Sequence, residues 1–263
     1  MTSDDDRLLT ERSYLRDVQY RTDANLAVRQ SIYAYQHPRL DLPHSVLELA
    51  GLRGDETVVD IGCGNGVYLA ELAHRGHAGP VLGVDFSVGM LAAARGRAPK
   101  ASLVAGDAAA LPLRDDAGDL TLAMHMLYHL PDPAAAVREL RRVTRPGGQV
   151  VVGLNGEDHL RELRDLITAA LRDLIGGEPP REWIRLDDGE SLLASEFSSV
   201  TRHDFIGELL IQDPQPIEDY ARSMIIADDP PDAEAFAAAV ARLARTDQEA
   251  FRIRTHAGCL VCS

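Results

Sequence analysis

The chain has 263 residues, 45% of them apolar, with 41 Asp and Glu against 27 Lys and Arg for a formal charge of −14. That is enough chain for one full core and an appended cap, in an ordinary globular composition. The acidic balance argues against a nucleic-acid substrate, whose phosphates are met by basic side chains, and no run reaches the ~18 to 20 apolar residues of a membrane span.

The N-terminal "MTSDDDRLLTERS" is acidic and lacks a signal peptide's apolar core, so a cytoplasmic protein is expected. Helical spacing runs over residues 8–36, with Asp23 placed to cap a second segment. "HPRLDLPHSVLELAGLRGDE" predicts a short helix and a Gly-containing turn. A strand over 57–61, a helix over 67–75, a strand over 81–84, a helix over 87–95 and a strand over 102–104 follow. The strand "DLTLAMHM" leads to a helix that Asp132 caps, with Pro133 in its first turn, where a missing N–H costs nothing. Val137, Leu140 and Val143 stripe that helix, "RPGG" is read as its terminator, and "QVVVGLN" is the fifth strand. Five apolar strands alternating with helices predict an α/β fold, an open and mostly parallel sheet covered on both faces.

Beyond Gly156 the rhythm changes. A helix over 160–171 gives way to the polar loop "GGEPPREWIRLDDGE", then a strand over 203–211, helices over 217–245 and a final strand over 251–262. These inserts and the N-terminal helices are material for a lid over the carboxyl ends of the strands, where open α/β sheets bind ligands. "RELRRVTR" reads as a solvated helix face. Cys259 and Cys262 form a C-x-x-C on a strand, but residues three apart point to opposite faces, which is poor metal geometry. No metal is expected, because the nine histidines are dispersed.

The stretch "VVDIGCGNGVYLAEL" sets Gly62, Gly64 and Gly66 between a strand and a helix. Glycine permits positive φ and puts no Cβ between backbone and ligand, while the first helical turn offers unpaired N–H groups. A dinucleotide fingerprint spaces its glycines as G-x-G-x-x-G, whereas Val67 stands three after Gly64. Asp85, ending the second strand, can accept both hydroxyls of a ribose or else cap the next helix. Asp107, after the third strand, can accept from an adenine amine while the backbone at Ala108 meets a ring nitrogen. Together these describe an adenosine site, and the absence of Lys or Arg from the loop disfavours NAD and ATP.

Across residues 48–155, "VVDIGCGNG", "VLGVDFSVGML", "GDAAALPLRDDAGDLTLAMHMLYHLPD" and "ELRRVTRPGGQVVV" stand in the order and spacing of a known family. The chain resembles the class I S-adenosylmethionine-dependent methyltransferases, in their small-molecule, UbiE-like branch. The resemblance implies a Rossmann-like, mostly parallel sheet of seven strands with the last antiparallel, helices on both faces and a helical lid. It divides the chain into an N-terminal lid segment (1–45), a donor-binding core (46–155) and the remaining sheet with an acceptor cap (156–263). It places the loop from Asp60 through Gly62, Cys63 and Gly64 to Gly66 along the methionine part of S-adenosyl-L-methionine. Asp85 then takes the ribose, with Phe86 beside the adenine, Met90 under its ring, and Asp107 with Ala108 at its edge. His125 lies near the sulfonium. Gly118 replaces a common Phe, which is read as loosening the packing there. In related enzymes the N-terminal region, here with Tyr14, Tyr20, Arg12 and Arg21, closes over the donor.

Methyl transfer from a sulfonium is a displacement that needs alignment and exclusion of water, and a base only if the acceptor must lose a proton. His125 and His129 are the candidates, since imidazole titrates near neutrality; Tyr14 is a third residue for the acceptor side, and Trp183 could stack on a flat acceptor. The expected acceptor is a small organic molecule methylated on O, N or C, such as an antibiotic or other natural-product intermediate. The alternatives are an RNA base methyltransferase and a non-catalytic donor-binding regulator. A monomer or homodimer is expected.

Overall fold

The computed structural model describes residues 20–175, 184–224, 233–244 and 250–263. Arg12, Tyr14 and Trp183 lie outside the described residues. The helices are α1 (Ala24–Ser31), α2 (Leu42–Ala50), α3 (Val67–His74), α4 (Val88–Arg97), α5 (Pro133–Val143), α6 (Arg161–Ile175), α7 (Leu186–Leu193), α8 (Gln215–Ser223) and α9 (Ala233–Ala244). The strands are β1 (Gln36–His37), β2 (Val58–Ile61), β3 (Val81–Asp85), β4 (Ser102–Ala105), β5 (Gly118–Met124), β6 (Thr144–Asn155), β7 (Val200–Ile211) and β8 (Phe251–Cys262).

They form one sheet in the order β1-β7-β8-β6-β5-β2-β3-β4. From β6 to β4 every neighbouring pair is parallel, and β8 runs antiparallel to both β6 and β7. The seven expected strands are therefore present with the last antiparallel, and an eighth is added. Strand β1 is a two-residue edge strand, Gln36 opposite Leu209 and His37 opposite Glu208, too short and polar to carry a periodic signal.

Local chemistry explains most boundaries. Asp132 accepts from the Ala135 N–H at 3.0 Å and starts α5, and Asp41 does the same for α2 from His44. Asp23 occupies the N-cap position of α1, yet its side chain makes no capping bond. The "RPGG" run does not terminate α5: the helix ends at Val143, Thr144 turns extended with its hydroxyl donating to Leu140 O at 2.7 Å, and "RPGG" belongs to β6. Inside the segment read as a polar loop, α7 begins at Leu186 and buries Leu186 and Leu193 against the sheet.

Alternation along the strands makes two layers. Val59 and Ile61 of β2 pack with Val137 and Leu140 of α5 on one face. Val58 packs with Val46 of α2 and Leu72 of α3 on the other. Cys259 lies in the second layer and Cys262 in the first, both as free thiols, so this C-x-x-C is split by the sheet. A third cluster joins Ile32 from the N-terminal part to Ile167 of α6, Ile217 of α8, Phe236 of α9 and Leu209 of β7. Gly118 does not loosen its surroundings: a Cβ there would lie 2.9 Å from Val59 Cγ2, so glycine is what the close contact with β2 requires.

Before β2, the Glu56 carboxylate accepts from the N–H groups of Arg53 (2.7 Å) and Gly54 (2.9 Å). Burial would raise this carboxyl, but those backbone donors and the Arg53 guanidinium outweigh it and hold it at about 2. The folded value lies below the unfolded one, so its stabilisation is present above the ordinary Glu range and lost as pH falls towards 2. Glu56→Gln is expected to lower stability by ~1 to 2 kcal/mol at neutral pH. Thermal melts of both proteins across the acid range check this; the gap closes as wild type is acidified.

Candidate active site

The glycine loop is shaped by hydrogen bonds to the neighbouring strand. Val84 O accepts from the N–H groups of Gly62 (2.7 Å) and Cys63 (3.0 Å), and Cys63 O accepts from Gly66 N–H (2.9 Å). Gly62, Gly64 and Gly66 all have positive φ, at 68°, 53° and 78°. Gly66 is the N-cap of α3, and a Cβ on it would come within 2.9 Å of Ala94 Cβ in α4. A Cβ on Gly64 would meet nothing nearer than Leu26 Cδ2 at 3.6 Å, so this stretch of backbone borders open space. That space is a cavity of ≈ 230 Å³ at the carboxyl ends of β2 to β5.

The structure brings Asp60, Gly62, Cys63, Gly64, Asp85, Phe86, Met90, Asp107 and Ala108 to its wall, together with Tyr20, His125 and His129; Gly66 is not on the wall but caps α3 behind it. Asp85 Oδ2 accepts from Gly64 N–H and Oδ1 from Ser87 N–H, each at 2.8 Å. The capping alternative is thereby resolved: Ser87, whose Oγ accepts from Met90 N–H, caps α4, and Asp85 braces the loop. Burial raises the Asp85 carboxyl above its ordinary range, opposed by those backbone donors. Asp107 Oδ1 accepts from Ala109 N–H at 3.0 Å. Met90 is buried in α4, and Ala108 and Cys63 are buried at the wall. Burial, with Asp60 and Asp85 adding to it, pushes the Cys63 thiol far above its ordinary range, which leaves it un-ionised and without nucleophilic character.

Asp60 is 1% exposed and neither carboxylate oxygen has a hydrogen-bond partner among the described residues. Burial, then the Asp85 charge, raises it to about 8. No Lys or Arg is among the described residues lining the cavity. Three acidic side chains, one of them a buried carboxyl without a hydrogen-bond partner among the described residues, and bare glycine backbone fit a nucleoside ligand with a cationic tail, and do not fit a pyrophosphate.

Beyond the end of β5, His125 sits at φ 55°, a left-handed conformation that costs a non-glycine residue ~1 to 3 kcal/mol. Its N–H donates to Gly153 O at 2.9 Å, and its imidazole makes no side-chain hydrogen bond among the described residues. Burial pulls it down to about 4, so it is neutral at physiological pH rather than titrating near neutrality. His129 sits in the short helical turn Leu127–His129 with Nε2 2.9 Å from Tyr20 Oη, the rings edge-on at 5.4 Å. Tyr20 O in turn accepts from Ser87 Oγ at 2.6 Å, so residue 20 spans the cavity from the β5 end to α4.

Sequence reasoning missed Asn65, Gln30 and Tyr68. Asn65 is 1% exposed, and its Nδ2 donates to Gln30 Oε1 of α1 at 3.1 Å, tying the N-terminal part to the loop. Its place between Gly64 and Gly66 was the available signal. Gln30 and Tyr68 had none, being ordinary residues of amphipathic helices.

A sheet of this order with an acid-lined cleft at its switch point is the architecture of nucleoside-cofactor enzymes. The methyltransferase-domain family model matches residues 59–152. A methyltransferase of Mycobacterium tuberculosis (strain ATCC 25618 / H37Rv), itself uncharacterized, is 30% identical over 187 residues, 70% of this chain and 70% of that one. The chain belongs to the class I S-adenosylmethionine-dependent methyltransferases. The demethylmenaquinone methyltransferase of Beutenbergia cavernae is 39% identical over 108 residues, 41% of this chain and 44% of that protein. The chain thus spans about half or less of the length of that group of curated relatives. In fold it is similar to a Haemonchus contortus phosphoethanolamine N-methyltransferase, solved with phosphomonomethylethanolamine and S-adenosylhomocysteine. That likeness has a TM-score of 0.59 at 18% identity, over 95% of this chain and 59% of that one.

No helix among the described residues is long and apolar enough to cross a membrane. Among the described residues no cluster of three or more His, Cys, Asp or Glu could hold a metal. Arg142, in the basic run of α5, is held by Glu139 (2.7 Å) and Asp115 (2.8 Å), and Arg138 lies 3.9 Å from Asp132.

Proposed function

We propose that this protein transfers a methyl group from S-adenosyl-L-methionine to an O, N or C nucleophile of a small organic molecule, such as a natural-product intermediate. The observation that carries the reading is Asp85, a half-buried carboxyl braced by Gly64 and Ser87 N–H groups at the cavity wall, one strand from Asp107. The Asp85 carboxylate keeps acceptor capacity for a ribose hydroxyl beyond its backbone bonds. Asp107 with Ala108 serves the base, Met90 and Phe86 flank it, and the loop from Asp60 to Gly66 takes the amino-acid tail. When bound, the donor supplies the activated methyl on its sulfonium. The residues align and desolvate: Tyr20, pinned by His129 and Ser87, covers the cavity, and His125, neutral at working pH, is able to accept an acceptor's proton.

Calorimetry with S-adenosylhomocysteine tests the reading; affinity on the order of micromolar is expected, and no binding overturns it. A screen of small phenols, amines and activated carbon acids for donor-dependent release of S-adenosylhomocysteine tests transfer. Displacement at a sulfonium proceeds without a Lewis acid, so turnover is expected to survive dialysis against EDTA. Loss of turnover restored by magnesium would reassign the acidic residues to a metal-held diol.

A further inference from the structure

Strand order assigns two of the three parts of the ligand. The proposed sugar acid Asp85 ends β3, and the base acid Asp107 follows β4, so the amino-acid tail of the donor lies towards β2 and β5. Two polar groups flank the glycine loop there. Asp60 precedes it on β2, and Tyr68 follows it in the first turn of α3. Val58 and Asp60, two apart on a strand, share a face, and Val58 packs in the same layer as Tyr68. Leu72, Leu120, Leu122 and Met124 are among the apolar side chains packed in that layer.

Tyr68 is 6% exposed and lines the cavity, and its hydroxyl, like both Asp60 oxygens, has no hydrogen-bond partner among the described residues. A buried polar group without a partner is destabilising, and two in one apolar layer are not accounted for by packing. Phenylalanine would fill the same space without that penalty. Groups that weaken the ligand-free fold and line a binding cavity are explained by what they bind.

We propose that the Tyr68 hydroxyl is a donor-binding group that, with Asp60, forms the inner polar end of the cavity and takes the amino-acid tail of the donor. The proposal rests on the methyltransferase reading, and it adds a residue of α3 to the site. Asp60 supplies an acceptor for an amino group, and the Tyr68 hydroxyl supplies both a donor and an acceptor.

Calorimetry on wild type, Tyr68→Phe and Asp60→Asn, with two ligands, tests it. S-adenosylhomocysteine has the tail; 5′-methylthioadenosine keeps the nucleoside and sulfur but lacks it. Tyr68→Phe is expected to bind S-adenosylhomocysteine ~5- to 20-fold more weakly, to bind 5′-methylthioadenosine as wild type does, and to melt at the same or a higher Tm without ligand. Asp60→Asn shows the same ligand selectivity with a larger loss. Unchanged affinity for S-adenosylhomocysteine in Tyr68→Phe overturns the proposal. Equal losses for both ligands, or a lowered ligand-free Tm, also overturn it, because the hydroxyl would then be structural. Wild type that binds 5′-methylthioadenosine but not its longer relative removes the tail subsite and leaves the nucleoside site standing. Wild type that binds neither removes the methyltransferase reading itself.

Discussion

His125→Ala is expected to lower turnover by ~10²- to 10⁴-fold, the range for a positioned acid–base group, while donor affinity stays near wild type. The residue stands just past the end of β5 in a left-handed backbone conformation, held by the bond from its N–H to Gly153 O. Its imidazole lines the cavity without a side-chain hydrogen bond among the described residues. Burial lowers it to about 4, so the acidic limb of a proton-accepting role falls near 4, well below the neutral range expected for an ordinary imidazole. The folded value is lower than the unfolded one, so its contribution to stability is present above the ordinary His range and lost as pH falls towards 4. Turnover and melts of wild type, Ala and Asn variants from mildly acidic to basic pH separate the roles. An Ala variant that is fully active in its folded fraction removes His125 from the chemistry. A raised Michaelis constant at unchanged turnover makes it an acceptor-orienting residue. Replacement by Ala also relieves little of the backbone strain, since only glycine adopts that φ freely, so Tm is expected to move modestly.

Asp85→Ala is expected to weaken S-adenosylhomocysteine binding by ~1.5 to 3 kcal/mol, the worth of hydrogen bonds to a charged acceptor. The variant removes the ribose acceptor and also the brace between Gly64 and Ser87. Asp85→Asn keeps one acceptor oxygen per side chain and separates the two effects: its loss of affinity measures charge, and the further loss in Ala measures the loop. Because burial raises this carboxyl, wild-type affinity is expected to fall on acidification at a higher pH than an unperturbed Asp would give, and Asp85→Asn loses that dependence. Calorimetry across pH measures both. Unchanged affinity in Asp85→Ala takes the residue out of the site.

The candidate site was legible to the extent that its residues sit in short contiguous signals. The loop glycines, Asp85 and Asp107 each terminate or follow a strand whose apolar run is plain in the chain. What a strand end means chemically follows from parallel topology, and that too is a local pattern repeated five times. His129 is different. Beside Pro131 it reads as a base or a loop tie, and only the fold brings Tyr20, 109 residues away, to its Nε2. Tyr14 and Trp183 lie outside the described residues and stay proposals for the acceptor side.

The amino-acid sequence by itself determined the alternation of five strands with helices, the cap at Asp132 and the glycine loop, because each depends on residues within a few positions of one another. Tertiary structure alone decided that β1 exists, since a two-residue strand forms only where β7 offers it a ladder. It decided that Gly118 serves a close contact with Val59. It decided that the imidazole of His125 is neutral through burial, and that the Asp60 oxygens and the Tyr68 hydroxyl have no hydrogen-bond partner among the described residues. Burial and unsatisfied hydrogen bonds are sums over neighbours distant in the chain, and no window of sequence contains them.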